Sequence, residues 1–158
     1  MRLEGSCHCG AVRFCCESPH PVPYQRCYCT ICRKTAGGGG YAINIMGWSQ
    51  SLEIEGEENI AVFRARLEDG SLSGGERRFC KHCGSALWVY DASWPELIHP
   101  FASIIDTDLP VPPESTHLML AFKANWVEPQ IGSKDKTFDH YPEESIAEWH
   151  RRTGNVRD

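Results

Sequence analysis

Gly5-Ser6-Cys7-His8-Cys9-Gly10-Ala11-Val12-Arg13-Phe14-Cys15-Cys16-Glu17 holds two signals in one run. The first is chelation. Cys7 and Cys9 flank a single residue, and Gly10 after them lets a tight turn take a conformation closed to other residues. The second is a strand. From Ala11 onward the side chains alternate, so Val12, Phe14 and Cys16 share one face and Arg13, Cys15 and Glu17 the other. Cys16 then reads as a small core residue, and Cys15 faces solvent or a neighbouring charge. A chelating turn that leads into a half-buried strand sets an expectation for the whole chain: a mainly β protein whose turns carry metal.

Two further clusters lie outward along the sequence. One is Cys27-Tyr28-Cys29-Thr30-Ile31-Cys32-Arg33-Lys34, the other Phe79-Cys80-Lys81-His82-Cys83-Gly84-Ser85. Of the nine cysteines, only Cys15 and Cys16 fall outside these motifs. Zinc prefers a tetrahedron of ligands with thiolate sulfur about 2.3 Å from the metal. Neither two-cysteine motif closes such a shell alone. Together Cys7, Cys9, Cys80 and Cys83 supply four sulfurs and no open position, which describes a structural site. Joining them closes a loop of about seventy residues, and the entropic cost grows only with the logarithm of that length. Cys27, Cys29 and Cys32 remain, with the fourth position vacant as in catalytic zinc sites. Counting therefore favours two zinc ions per chain. Other arrangements stay open: Cys7 and Cys9 sharing a metal with two members of the middle cluster, an iron–sulfur cluster, or plain buried cysteine.

Composition narrows the classes. Sixteen basic against 21 acidic residues give a net charge of -5, which supplies no general field for nucleic acid or anionic lipid. No apolar run approaches the roughly 18 residues that span a bilayer. The first residues hold no apolar stretch of the signal-peptide kind. A cytoplasmic protein without nucleic-acid or membrane partners is expected, where thiols stay reduced and clustered cysteines bind metal.

Strands are expected at 11–17, 41–45, 52–55, 60–67, 75–80, 86–90, 97–105 and 117–122, all rich in Val, Ile, Phe, Tyr or Trp. Turn residues separate them: Gly56 to Asn59, Asp69-Gly70 and Gly74-Gly75. Leu109-Pro110-Val111-Pro112-Pro113 is a loop, since proline donates nothing to a ladder. Residues 143–151 form the one expected helix, with Ile146 and Trp149 along one side.

Two features adjoin the three-cysteine cluster. Gly37-Gly38-Gly39-Gly40 reads either as a flexible loop or as backbone kept bare for close approach of a ligand. Arg33 and Lys34 are the nearest basic residues in sequence; they neutralise a tris-thiolate site, or bind a substrate carboxylate, or form solvated surface. His8 and His82 sit inside motifs whose sulfur count is complete without them.

The run Gly5 to Phe14, the Cys27-x-Cys29-x-x-Cys32-Arg33 cluster, and Arg78-Phe79-Cys80-x-x-Cys83-Gly84-Ser85-x-Leu87 together resemble the glutathione-dependent formaldehyde-activating enzyme family, which includes the zinc domain of centromere protein V. Ile105-Asp106, His117 and Lys123-Ala124-Asn125-Trp126 fit the same pattern. The resemblance spans about Gly5 to Tyr141. It implies a β-tent fold of short antiparallel sheets over 5–141, followed by a short C-terminal helix and tail over 142–158. It also implies a structural ion on Cys7, Cys9, Cys80 and Cys83, and a second ion on Cys27, Cys29 and Cys32 that meets a thiol. The implied activity is that of a carbon–sulfur lyase, joining formaldehyde and glutathione to S-(hydroxymethyl)glutathione. Tyr28 departs from the pattern, standing where a histidine is expected between two ligands. Besides the lyase, a non-catalytic zinc module that binds protein and a nucleic-acid binder are the competing readings. The charge of -5 weighs against the last.

Overall fold

The computed structural model describes residues 1–155 of the chain. Three small sheets make up most of it. In the first, β1 (Arg2–Ser6), β2 (Arg13–Glu17) and β6 (Glu53–Glu55) run antiparallel in that order. The second holds β5 (Gly47–Trp48), β10 (Leu97–Pro100), β9 (Ala86–Tyr90), β8 (Glu76–Cys80) and β7 (Ile60–Phe63), all antiparallel. In the third, β3 (Tyr24–Cys27) lies antiparallel to β4 (Ala42–Asn44) but parallel to β11 (Ser115–Leu118), which pairs in parallel with β12 (Lys136–Thr137). The mainly β class with short antiparallel sheets is as expected, and the third sheet adds two parallel pairings.

Several expected strands stop early for visible reasons. The run 60–67 ends at Phe63, after which the chain folds into a hairpin tip through the Arg66–Leu72 bridge. The run 97–105 ends at Pro100 and passes into a 3-10 turn at Ala102–Ile104. In 117–122, Met119 takes a left-handed backbone at φ +60° and a 3-10 turn follows at Leu120–Phe122.

Helix α2 (Ile146–Thr153) begins three residues later than expected. Ser145 caps it reciprocally with Glu148, satisfying two amides that the first turn leaves without intrahelical partners. Trp149 is buried against Val22 and Tyr24, and its indole donates to Glu114 at 2.5 Å. Residues 156–158 of the expected tail lie outside the described residues.

A second helix was not expected. Helix α1 (Thr30–Ala36) has no Ser, Thr, Asp or Asn cap; the Cys29 sulfur takes that place, accepting from the Cys32 amide at 3.3 Å. Its start signal is therefore hidden inside a cysteine motif. Strands β1, β3, β5 and β12 were likewise unexpected, being short and poor in apolar alternation.

Each cysteine cluster is built into its own core. Cys7 and Cys80 pack with Val12, Phe14, Leu87, Trp88 and Ile98, where Phe14 and Trp88 meet edge to face with centroids 5.0 Å apart. Cys27 and Cys32 pack with Ala42, Phe101 and Leu118. A third small cluster of Leu3, Cys16 and Ile45 takes Cys16, as read from its alternation. Cys15 meets charge: Arg2 Nη2 donates to its sulfur at 2.8 Å, and the thiol donates to Glu53 at 3.2 Å.

Candidate metal centres

The first centre is made by two turns at strand ends. Cys7 follows β1, and the Gly10 amide returns to its carbonyl at 3.0 Å with Gly10 at φ +76°. Cys80 closes β8, and the Gly84 amide returns to its carbonyl at 2.8 Å with Gly84 at φ +75°. Both turns need the left-handed conformation that glycine adopts freely. They are stitched together where the His8 amide donates to Ser85 Oγ at 3.1 Å.

The result brings the sulfurs of Cys7, Cys9, Cys80 and Cys83 within 4.8 Å of one another. Cys7 and Cys9 are 3.6 Å apart, and Cys9 and Cys80 3.7 Å. A disulfide needs about 2.05 Å, so these are separate sulfurs. A tetrahedron with zinc–sulfur bonds of about 2.3 Å has edges of about 3.8 Å. The all-sulfur donor set and its spacing thus fit a zinc-sized ion. Cys7 and Cys80 are buried while Cys9 and Cys83 face outward. The Ser85 hydroxyl and then its amide hold the Cys83 thiol down at about 5. His82 bonds Asn59 Oδ1 at 2.7 Å, and neither it nor His8 joins the donor set.

The second centre is local. Cys27 ends β3, Cys29 caps α1, and Cys32 lies in the helix's first turn. Their three sulfurs also lie within 4.8 Å of one another, and no fourth Cys, His, Asp or Glu among the described residues joins them. Cys27 and Cys32 are buried, and Cys29 is half-buried. Hydrogen bonds with Cys27 and then Cys32 hold the Cys29 thiol far below its usual range, while those with Cys29 and then Cys32 push Cys27 up.

Around this triplet the structure adds residues that sequence reasoning missed. Arg77, on β8, donates through Nη2 to Cys32 Sγ at 3.5 Å and through Nη1 to Thr35 Oγ1 at 3.4 Å. It is distant in sequence, and the only available signal was its place three residues before Cys80. Tyr141 is largely exposed, yet partial loss of water around its phenol, and then the three cysteine sulfurs, push it up. Lys34 is exposed on α1, and Arg33 is half-buried with its Nε enclosed and without a hydrogen-bond partner.

Beneath the triplet runs a buried polar chain. Tyr28, between Cys27 and Cys29, is fully buried and bonds His117 Nδ1 at 2.9 Å. His117 Nε2 bonds Asp135 Oδ2 at 2.9 Å, and Asp135 accepts from the Ser115 amide at 2.8 Å and the Gly132 amide at 2.9 Å. The Tyr28 ring stacks on His117. Its amide donates to Leu118 O at 3.1 Å, fixing the cysteine loop to β11.

The glycine run divides in two. A Cβ on Gly37 would lie 2.3 Å from Tyr41 O, and one on Gly40, at φ +92°, would lie 2.3 Å from Val127 Cγ2. Gly38 has nothing within 4 Å, and Gly39 only the Tyr41 ring edge at 3.9 Å. The outer pair is therefore demanded by packing, and the inner pair leaves open space.

A mainly β chain with a four-thiol and a three-thiol cluster, each able to hold a metal ion, defines a class of cysteine-rich proteins. Comparison gives the family. The family model described as glutathione-dependent formaldehyde-activating enzyme matches residues 2–120. A Halomonas elongata protein with the provisional name glutathione-dependent formaldehyde-activating enzyme is 61% identical over 154 residues, covering 98% of each chain. A crystal structure of a Rhodobacter sphaeroides protein is similar with a TM-score of 0.51 at 26% identity, over 70% of this chain and 92% of that one. The chain belongs to the glutathione-dependent formaldehyde-activating enzyme family. No helix among the described residues is long and apolar enough to cross a membrane.

Proposed function

We propose that this protein is a zinc-dependent carbon–sulfur lyase that joins glutathione and formaldehyde as S-(hydroxymethyl)glutathione, and splits the adduct in reverse. The observation that carries this is the triplet of Cys27, Cys29 and Cys32, with three sulfurs converging and no fourth protein donor. Cys7, Cys9, Cys80 and Cys83 hold a structural ion in this reading, and the working part of the chain is 5–141 with 142–158 appended. A zinc ion at the triplet would supply a Lewis acid that favours the thiolate form of a thiol ligand.

The chain's own residues set the rest. In the forward direction a sulfur–carbon bond forms, the carbonyl π bond opens, and the proton lost by the thiol is matched by one gained at the new hydroxyl oxygen. Cys29, the half-buried member, marks the side from which a thiol approaches. The bare backbone at Gly38 and Gly39 keeps space beside α1. Arg33 and Lys34 lie on that helix as candidate substrate contacts. Tyr141, a phenol near enough to the three sulfurs to feel them, is the candidate donor to the developing alkoxide. Thiol addition to an aldehyde also proceeds unaided, so the required acceleration is modest and the positions of thiol and carbonyl matter more than a large electrostatic contribution.

Nine cysteines without a disulfide fit a reducing compartment, and we place the protein in the cytoplasm. The net charge of -5 supports a small-molecule rather than a nucleic-acid partner.

Exchange NMR between glutathione and S-(hydroxymethyl)glutathione, with the uncatalysed rate subtracted, tests the proposal. An excess rate at two zinc per chain, lost in Cys29→Ser, is expected. No excess rate at full zinc content rejects glutathione as substrate and leaves the non-catalytic zinc module as the better reading.

A further inference from the structure

Strand β8 carries three charged residues in a row, and one of them has no countercharge. Glu76 accepts from Arg64 Nη2 at 2.6 Å and also pairs with Arg78. Arg77, between them, has no carboxylate within 4.0 Å among the described residues. Its guanidinium is half-buried and donates to the Cys32 sulfur and the Thr35 hydroxyl. Both use Nη atoms. A guanidinium has five N–H donors in a planar fork, so the Nε edge remains for another acceptor.

The charge balance at the triplet says what that acceptor is. Three thiolates and one divalent cation leave a single negative charge, which one guanidinium offsets. An entering thiolate adds a further negative charge, and a carboxylate on the same molecule adds another. Such a ligand is favoured only where a cation is already held in place, and planar carboxylates match the guanidinium fork in bidentate fashion. Arg77 meets this condition by geometry: its fork is tied to Cys32, one corner of the triplet. In a cysteinyl peptide the carboxylate follows the sulfur by a few bonds, so one molecule can address both groups. At the four-cysteine centre the corresponding cation is occupied, since Lys81 Nζ donates to Glu58 O at 2.6 Å.

We propose that Arg77 reads a carboxylate on the thiol substrate, so that the triplet takes acidic thiols in preference to neutral thiols of the same size. This rests on the reading of the triplet as the thiol site. It assigns the carboxylate contact to a residue of β8, in addition to the neighbours Arg33 and Lys34 on α1.

Isothermal titration of the zinc-loaded protein with glutathione and with its diethyl ester tests the assignment, because the two ligands share the thiol and differ in the carboxylates. Charge-assisted hydrogen bonds of this kind correspond to a preference on the order of ten- to a hundred-fold for glutathione. In Arg77→Gln that preference should fall several-fold with the ester still bound, while Arg13→Gln, an exposed change on β2 outside the triplet, should retain it. Should Arg77→Gln lose zinc or solubility, Arg77→Lys takes its place and should retain only part of the preference, since it keeps the charge and loses the fork. A full preference in the Arg77 variant overturns the proposal, as does an equal fall in Arg13→Gln. Equal weakening of both ligands also overturns it, marking Arg77 as a tuner of the Cys32 sulfur. If the native protein binds neither ligand, the thiol-site reading falls too. If binding is selective but exchange is not accelerated, only the catalytic reading falls.

Discussion

The four-cysteine and three-cysteine centres use one kind of side chain for different structural ends. The first joins distant pieces of chain: Cys9 and Cys80 stand 71 positions apart with sulfurs 3.7 Å apart. An ion there closes a long loop and ties the β1–β2–β6 sheet to the five-stranded sheet. The second lies on one strand end and one helical turn, so it closes no long loop. Its geometry is already made by the Cys29 cap and by the anchor of Tyr28 on β11. Metal at the first centre would hold topology together; metal at the second would act on a local arrangement the chain builds by itself. In the proposed reading, sequence separation between ligands, as much as their number, separates the structural from the working site.

The sharpest way to break this contrast is Cys80→Ser. Structural zinc in small peptides contributes on the order of 10–16 kcal/mol, which matches or exceeds the roughly 5–15 kcal/mol of a whole domain's stability. We expect insoluble or non-cooperatively melting protein, measured by zinc content and circular dichroism. Soluble, cooperatively melting protein with full zinc would remove the structural role of this centre.

Cys29→Ser should do much less to the fold. Zinc content should fall by about one ion per chain while cooperative melting persists, because the open site adds function more than stability. A variant that unfolds as readily as Cys80→Ser would make the two centres equivalent.

How far the sequence discloses this contrast depends on where the signal lies. The cysteine motifs are visible because chelation demands short spacings, and the strand after Gly10 because period-two alternation survives inside them. Helix α1 is hidden because its cap is a sulfur that also belongs to a motif. Strand β3 carries Gln25 and Arg26 rather than an apolar run, and its partner β11 is far along the chain. Arg77 and the Tyr28–His117–Asp135 chain are likewise products of tertiary pairing. Tyr28 reads from sequence as a departure beside the ligands; the structure turns it inward, to His117.

Tyr28→Phe sharpens the comparison at an intermediate scale. It leaves His117 Nδ1 buried without its partner, a loss of about 1–3 kcal/mol. For a chain of this size each kcal/mol lowers Tm by roughly 2–4 °C. Both ions should remain bound at equilibrium. Chelator challenge should strip the ion of the triplet faster than in the native protein and leave the other rate unchanged. Equal acceleration at both centres would show that Tyr28 supports the fold generally rather than the triplet.

The smallest effect concerns acid. Burial alone would raise the Asp135 carboxyl, but the Ser115 amide, the His117 ring and the Gly132 amide outweigh it and hold the group below its usual range. A carboxyl depressed on folding contributes stability that is fully present above its unfolded value, near 4, and is lost as pH falls through the folded value. Asp135→Asn keeps an oxygen acceptor and removes the titration. The stability gap between native protein and variant should therefore be largest near neutral pH and should shrink through the range at and below about pH 4. Thiolate protonation also releases metal in acid in both proteins, so each release step is compared with that of the native protein. Asp135 reaches the triplet through His117 and Tyr28, and its hydrogen bonds go to Ser115, His117 and Gly132 rather than to the four-cysteine centre. Stepwise zinc release monitored during an acid titration should then show one step moved to higher pH in Asp135→Asn and the other unmoved. Two steps moved together would mean that acid acts through global unfolding, and that the centres do not differ in how the surrounding chain supports them.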